Sequence, residues 1–245
     1  MTQPFRSDQA SHRWRAAWLP SLLLAMLLGA CTSVPAPTRP QATPDPVSSP
    51  EWTTDMARFA AEDAVRPPPA DPVVFTGSSS VRMWETLAAD FPAVPVLNRG
   101  FGGSQLRDAV HHADQVAIRY RPRMILLYAG DNDVDAGRSP RQVLDDFRAF
   151  VERVRHDLPE VPIAFLAIKP SPARAGQLPR QQQANALVKA EAARLDGVEF
   201  IDVATPMLGA DGQPRPELFV DDRLHMNGAG YALWREVVAP YLDGD

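Results

Sequence analysis

Cysteine is almost missing: the 245 residues contain one, Cys31. A lone thiol forms no internal disulfide and supplies no paired-cysteine zinc site, which excludes a disulfide scaffold and a zinc ribbon. A stretch long enough to span a bilayer is missing as well. The most apolar run, Ala16 to Leu28, falls short of the ~20 residues a spanning helix needs and carries Pro20. The 25 basic residues are scattered and outnumbered by 30 acidic ones, for a formal net charge of −5, so no segment offers an electrostatic footprint for nucleic acid. What is present is a soluble-globular composition, 45% apolar and 22% charged, which suffices to bury a core and rules out disorder throughout.

Proline is the one excess, and it is partly local. Of 25 prolines, Pro35, Pro37, Pro40, Pro44, Pro46 and Pro50 crowd into one short stretch. Residues 31–50 therefore read as a linker; in extended form it reaches up to roughly 60 Å at ~3.1 Å per residue. Ahead of it, a basic start (Arg6, Arg13, Arg15) followed by the short apolar run has the layout of a signal sequence over residues 1–30. Leu28-Gly29-Ala30-Cys31 resembles a bacterial lipobox, which implies cleavage before Cys31 and acylation of that residue. Thr32, standing where Asp would signal retention, resembles the pattern of lipoproteins sent to the outer membrane. The expectation is a lipid-anchored protein of the cell envelope, on the periplasmic face of the outer membrane if the cell is Gram-negative. An ordinary secreted protein cleaved nearby is the competing reading.

From residue 51 to 245 the chain alternates short apolar runs with amphipathic stretches, as a parallel sheet covered by helices on both faces requires. Five strands stand out at 72–76, 94–98, 123–129, 162–168 and 198–202, mostly without polar alternation, as buried strands are. Ser139-Pro140-Arg141-Gln142 reads as a capping box with proline in the first turn, and Val143, Phe147, Phe150, Val154 and Leu158 then mark one helical face. A second helical stretch is expected from Val81 to Phe91. No composition break divides this region, so one domain is expected.

In open α/β sheets reactive groups gather at the carboxyl ends of the strands. The first strand exits into Gly77-Ser78-Ser79-Ser80, where a hydroxyl meets a helix start. Taken alone, such a run more often makes a turn and a cap. The G-x-S-x-G elbow fails because Val81 stands where the second glycine belongs, and a phosphate loop fails too. The second strand exits into Asn98-Arg99-Gly100-Phe101-Gly102-Gly103-Ser104; Gln105 breaks the dinucleotide fingerprint, but exposed N–H groups would suit an oxyanion. The third exits into Gly130-Asp131-Asn132-Asp133-Val134-Asp135, whose spacing fails as a calcium loop because Gly137 is displaced by one and Gln142 replaces the bidentate Glu. Near the carboxyl end, Asp222-Arg223-Leu224-His225 could set a carboxylate on one imidazole nitrogen while the other accepts a proton.

Serine, glycine, asparagine and Asp-x-x-His at successive strand exits, in that order, resemble the SGNH hydrolases, the GDSL-like esterase and lipase family. The resemblance runs from Val73 to Tyr241. It implies a three-layer α/β/α sandwich on a five-stranded parallel sheet of flavodoxin-like order. It also implies Ser79 as nucleophile, His225 as base and Asp222 as its partner, with the oxyanion hole formed by Ser79 and Gly103 N–H groups and the Asn132 amide. Trp84 matches a recurrent aromatic position. Ser78 replaces the aspartate that usually precedes the nucleophile, and on sequence grounds Ser78 and Ser80 stay open as alternatives.

The implied activity is hydrolysis of a small ester, such as an O-acyl group on a carbohydrate or envelope glycan, with no cofactor and no metal. No protein partner is indicated. Lys169 and Arg174, after the fourth strand, are candidates for substrate contact, against the plainer reading of a proline-stiffened loop with solvated charges. The rival function is a non-catalytic envelope lipoprotein that keeps the fold as a binding module; phosphodiesterase or nuclease chemistry is weaker for want of a metal-ligand set.

Overall fold

The structure, a computed structural model, describes residues 52–242. The expected signal sequence, the proline-rich linker and Cys31 lie outside the described residues. Chain order is α1 (Thr53–Val65), β1 (Val73–Gly77), α2 (Ser79–Arg82), α3 (Leu87–Asp90), β2 (Val96–Gly100), α4 (Leu106–His111) and α5 (Ala113–Val116). There follow β3 (Met124–Tyr128), α6 (Asp131–Asp135), α7 (Pro140–Asp157), β4 (Ile163–Leu166), α8 (Leu178–Ala192), β5 (Val198–Ile201) and α9 (Gly228–Leu242). Among the described residues no helix is long and apolar enough to cross a membrane.

The five strands are parallel and lie in the order β2-β1-β3-β4-β5. Strand order reverses between β1 and β3, which opens a crevice at their carboxyl ends. Successive strand residues point to opposite faces. Val74, Ile125, Leu127, Ile163 and Phe165 meet α1, α4, α5, α7 and α8 on one side. Val73, Phe75, Met124, Leu126 and Leu166 meet α2, α3 and α9 on the other. Three layers result, as expected. The second core is aromatic: Trp84 packs edge-on to Phe75 at 5.7 Å, and Trp234 lies 5.0 Å from Tyr128 and 6.0 Å from Trp84.

The capping box at Ser139 forms: its hydroxyl accepts from Gln142 N–H at 3.2 Å while the Gln142 side chain accepts from Ser139 N–H at 2.9 Å. Val143, Phe147, Phe150 and Val154 are buried on the expected face, and Leu158 ends the helix at its C-cap. The stretch expected as one helix from Val81 to Phe91 is instead two short ones, α2 and α3. Between them Trp84 turns inward and donates to Asp90 at 2.7 Å, an anchor that periodicity does not reveal. Strand β4 also stops early. Both backbone groups of Ile168 are taken by the Asn185 side chain, at 2.8 and 2.9 Å, so an amide replaces the sheet ladder there.

Candidate active site

Strand β1 leaves the sheet through Gly77, whose φ is 120°. A Cβ at this position would lie 1.8 Å from the Tyr128 carbonyl oxygen on the neighbouring strand, so only glycine can make the exit. The Ser78 N–H donates to that same oxygen at 2.9 Å, and its carbonyl accepts from the Val81 and Arg82 N–H groups at 3.0 and 3.1 Å. The tight turn resolves the three-serine ambiguity by burial. Ser78 and Ser80 are each 2% exposed, whereas Ser79 opens into a cleft of about 460 Å³.

Across the cleft, His225 Nε2 stands 2.9 Å from Ser79 Oγ, and His225 Nδ1 stands 2.6 Å from Asp222 Oδ2. The other Asp222 oxygen accepts from the Leu224 and His225 N–H groups at 2.8 and 2.9 Å. Burial is the largest single influence and pushes the Asp222 carboxyl up, but the hydrogen bonds from the His225 ring and the two backbone N–H groups together outweigh it and bring it down to about 2. A charged Asp222 keeps the imidazole proton on Nδ1, which leaves Nε2 free to accept from the Ser79 hydroxyl. The loop is shaped by Arg223 at φ 58° and closed by Val220 N–H donating to the His225 carbonyl at 2.9 Å. Asn227 braces it with side-chain bonds to the Glu217 and Phe219 carbonyls at 2.9 and 3.1 Å.

The three groups expected to hold an oxyanion line the same cleft. Gly103 sits at φ 78° beyond the end of β2, and among the described residues neither its N–H nor that of Ser79 has an acceptor. Asn132, in α6 at the exit of β3, donates from Nδ2 to the Ser104 carbonyl at 2.9 Å and lines the cleft with Ser79, Gly103 and His225. The structure thus brings together Ser79, Gly103, Asn132, Asp222 and His225 from four separate strand exits and loops.

Lys169 lies inside the protein and not on the cleft wall: it is 1% exposed, and its ammonium donates to the Leu224 carbonyl at 2.9 Å and faces Asp131 at 3.4 Å. Burial pushes the Lys169 amine down and the Asp131 carboxylate opposes this. Arg174 is also turned inward, onto Asp131 at 2.8 Å, Asn132 at 3.2 Å and Asp135 at 3.0 Å. Trp84 lies in the core and not in the cleft.

Other cleft residues escaped the sequence reading. Arg82 stands one helical turn from Ser79, a spacing that shares a face and could have flagged it. Asp55 also lines the cleft but is already paired with Arg58 at 2.9 Å. Trp52 donates from its indole to the Gly102 carbonyl at 2.9 Å. Among the described residues no cluster of three His, Cys, Asp or Glu side chains could hold a metal ion.

Comparison with known proteins identifies the family and the fold. Residues 69–233 match the model of the GDSL-like Lipase/Acylhydrolase family. The fold is similar to a Streptococcus pneumonia structure named for platelet activating factor, with TM-score 0.70 and 22% identity over 78% of this chain and 92% of that one. It is similar to a GDSL-like lipase from Bacteroides thetaiotaomicron, with TM-score 0.67 and 20% identity over 77% and 97% of the two chains. An acetylxylan esterase from Geobacillus stearothermophilus gives TM-score 0.57 and 16% identity over 73% and 97%. No curated protein matches. At such identities the solved structures carry the fold alone, but the family model covers most of the chain, and the protein belongs to the GDSL-like lipase/acylhydrolase family of hydrolases.

Proposed function

We propose that this protein is a serine esterase that transfers a short acyl group from a hydroxyl-rich alcohol to water through Ser79, His225 and Asp222. The single observation that carries the reading is the unbroken chain Asp222–His225–Ser79, at 2.6 and 2.9 Å, beside two N–H groups that have no acceptor among the described residues. His225 Nε2 takes the proton from Ser79 Oγ as the oxygen attacks the ester carbonyl. Asp222 stabilises the resulting imidazolium without itself taking the proton. The negative oxygen is held by the Ser79 and Gly103 N–H groups and the Asn132 amide, donors that are already in place and need no reorganisation. Collapse expels the alcohol, which His225 protonates, and water repeats the sequence on the acyl-serine.

The cleft favours a small polar ester. Leu224 is the one apolar side chain among the residues lining it, alongside Asp55, Ser79, Arg82, Asn132 and His225. A long acyl chain would meet a single apolar side chain there. The fold likeness to an acetylxylan esterase points the same way. The lipobox reading of Cys31 as a lipid-bearing residue belongs to this proposal: an envelope glycan ester would be the substrate within reach of a tethered domain. Growth with a labelled fatty acid, comparing the parent with Cys31→Ala, tests the anchor by whether label stays with the protein.

For the activity, the test is hydrolysis of 4-nitrophenyl acetate and of acetylated xylan by the parent and by Ser79→Ala, together with fluorophosphonate labelling mapped by mass spectrometry. The expected result is adduct at Ser79 and a loss in kcat toward ~10⁶ in the variant. Near-parental turnover by Ser79→Ala, or adduct on another residue, overturns the reading.

A further inference from the structure

We propose that Arg174 is a positioning residue that fixes the orientation of the Asn132 amide and strengthens it as an oxyanion donor; this rests on the serine-esterase reading above. Both terminal nitrogens of Arg174, Nη1 and Nη2, lie 3.2 Å from the one Asn132 oxygen, Oδ1. A guanidinium has donors and no acceptor, so the atom facing it must be the amide oxygen and the NH₂ group must face the other way. One hydrogen of that group goes to the Ser104 carbonyl at 2.9 Å. The other is directed at the cleft that Asn132 shares with Ser79, Gly103 and His225. Without the guanidinium only the Ser104 carbonyl opposes a turn of the amide that would bring its oxygen toward the reacting centre, where it would repel the charge it should stabilise.

The same contact acts on strength. Two charge-assisted bonds draw electron density onto Oδ1 and leave the Nδ2 hydrogens more positive, so the amide holds a negative oxygen better. Arg174 is itself held firmly, by Asp131 at 2.8 Å and Asp135 at 3.0 Å, with 12% of its side chain exposed. Asp131 is shared with Lys169 at 3.4 Å and Gln181 at 3.1 Å. The segment also grips the histidine loop, since Ala173 N–H donates to the Arg223 carbonyl at 3.0 Å and Lys169 to that of Leu224 at 2.9 Å. The exit of β4, which contributes no group to the chemistry, thereby sets the distance between the oxyanion donor and the base.

A double-mutant cycle tests this on 4-nitrophenyl acetate with the parent, Arg174→Gln, Asn132→Ala and the pair combined. The expected result is a fall in kcat of about 10- to 100-fold for Arg174→Gln with KM within about threefold, and almost no further loss when Arg174→Gln is added to Asn132→Ala. Arg174→Lys, which keeps the charge but not the two-pronged contact, is expected to fall between parent and Arg174→Gln, and serves if the glutamine variant does not fold. Parental kcat in both Arg174 variants, or losses that multiply in the pair, overturns the proposal; a rise confined to KM would mark Arg174 as a substrate contact and does the same. A readout independent of turnover is the Asn132 side-chain ¹⁵N–¹H resonance in Ser79→Ala protein, which must move on adding Arg174→Gln or Arg174→Lys. Its failure to move overturns the proposal, whereas an inactive parent with a moving resonance overturns the esterase reading and leaves the contact established.

Discussion

Three consecutive serines offer three hydroxyls, and their fates are set by a single backbone turn. Because Gly77 can adopt φ 120°, Ser78 folds back onto β3 and Ser80 lies on the buried side of α2, where its carbonyl accepts from the Tyr231 hydroxyl at 3.0 Å. Ser78→Ala and Ser80→Ala should each keep turnover within about tenfold of the parent, since neither oxygen reaches His225; a loss matching that of Ser79→Ala would contradict the geometry. Asp222→Asn should lower kcat by about 10³ to 10⁴, because an amide cannot enforce the Nδ1 tautomer. With Asp222 held at about 2, its carboxylate stays charged above pH 4. Log kcat against pH should therefore show no break from Asp222 above pH 4; a break there that Asp222→Asn removes would contradict the low value. The five residues of this constellation were legible because each sits in a short motif at a strand exit. The roles of Lys169 and Arg174 were not, since sequence shows that two cations follow β4 but not that Asp131 draws them inward.

At the scale of elements, strand positions were readable from apolar runs and most ends were not. Strand β2 begins at Val96 and not at Val94, because Pro95 has no N–H to give a ladder and serves only through its carbonyl, which accepts from Val73 at 2.8 Å. The break between α2 and α3 and the early end of β4 both come from side chains, Trp84 and Asn185, whose partners are remote in sequence or out of phase with the helix. Helix α7 was readable to its cap, and Ser139→Ala should lower stability by about 1 kcal/mol, seen as a melting temperature about 2 to 4 °C lower. Helix α6 couples to α4 through Asp133, whose carboxylate oxygens accept from Leu106 N–H at 3.0 and 3.2 Å. Burial is the main force on this carboxyl; against the lowering effect of Leu106 N–H and Arg138, and helped by Asp146, it raises Asp133 to about 7. Between about pH 4 and pH 7 the folded state therefore holds a proton that the unfolded chain has released, and stability falls as pH rises through that window. Melting curves from pH 4.5 to 8 should show the parent declining relative to Asp133→Asn. A constant difference across the range would show Asp133 ionised throughout.

For the whole molecule, the two faces of the sheet are unequal in kind. One is covered by five helices with mainly aliphatic and phenylalanine packing, and the other by α2, α3 and α9 around an aromatic cluster. Ser79, the proposed nucleophile, sits on the aromatic side, so its foundation is the packing of Trp84, Trp234 and Tyr231. Trp234 is fully buried, and Trp234→Ala should cost about 3 to 5 kcal/mol, a fall of roughly 10 °C or more in melting temperature measured by calorimetry. The five-stranded parallel architecture followed from the alternation of apolar and amphipathic segments. Which helices would share a face did not, because that depends on crossover direction and not on local pattern.

The two ends of the described fold stand in different relations to the cleft. Asp55 lines it and Trp52 holds the carbonyl of Gly102 in its wall, whereas Leu242 accepts from Arg123, just ahead of β3, at the amino ends of the strands and so away from the cleft. A bulky fusion partner joined immediately before Trp52 would crowd the entrance and slow polymeric substrates more than small ones. The same partner appended after Leu242 would leave access untouched, which makes that end the sensible place for purification handles or surface immobilisation.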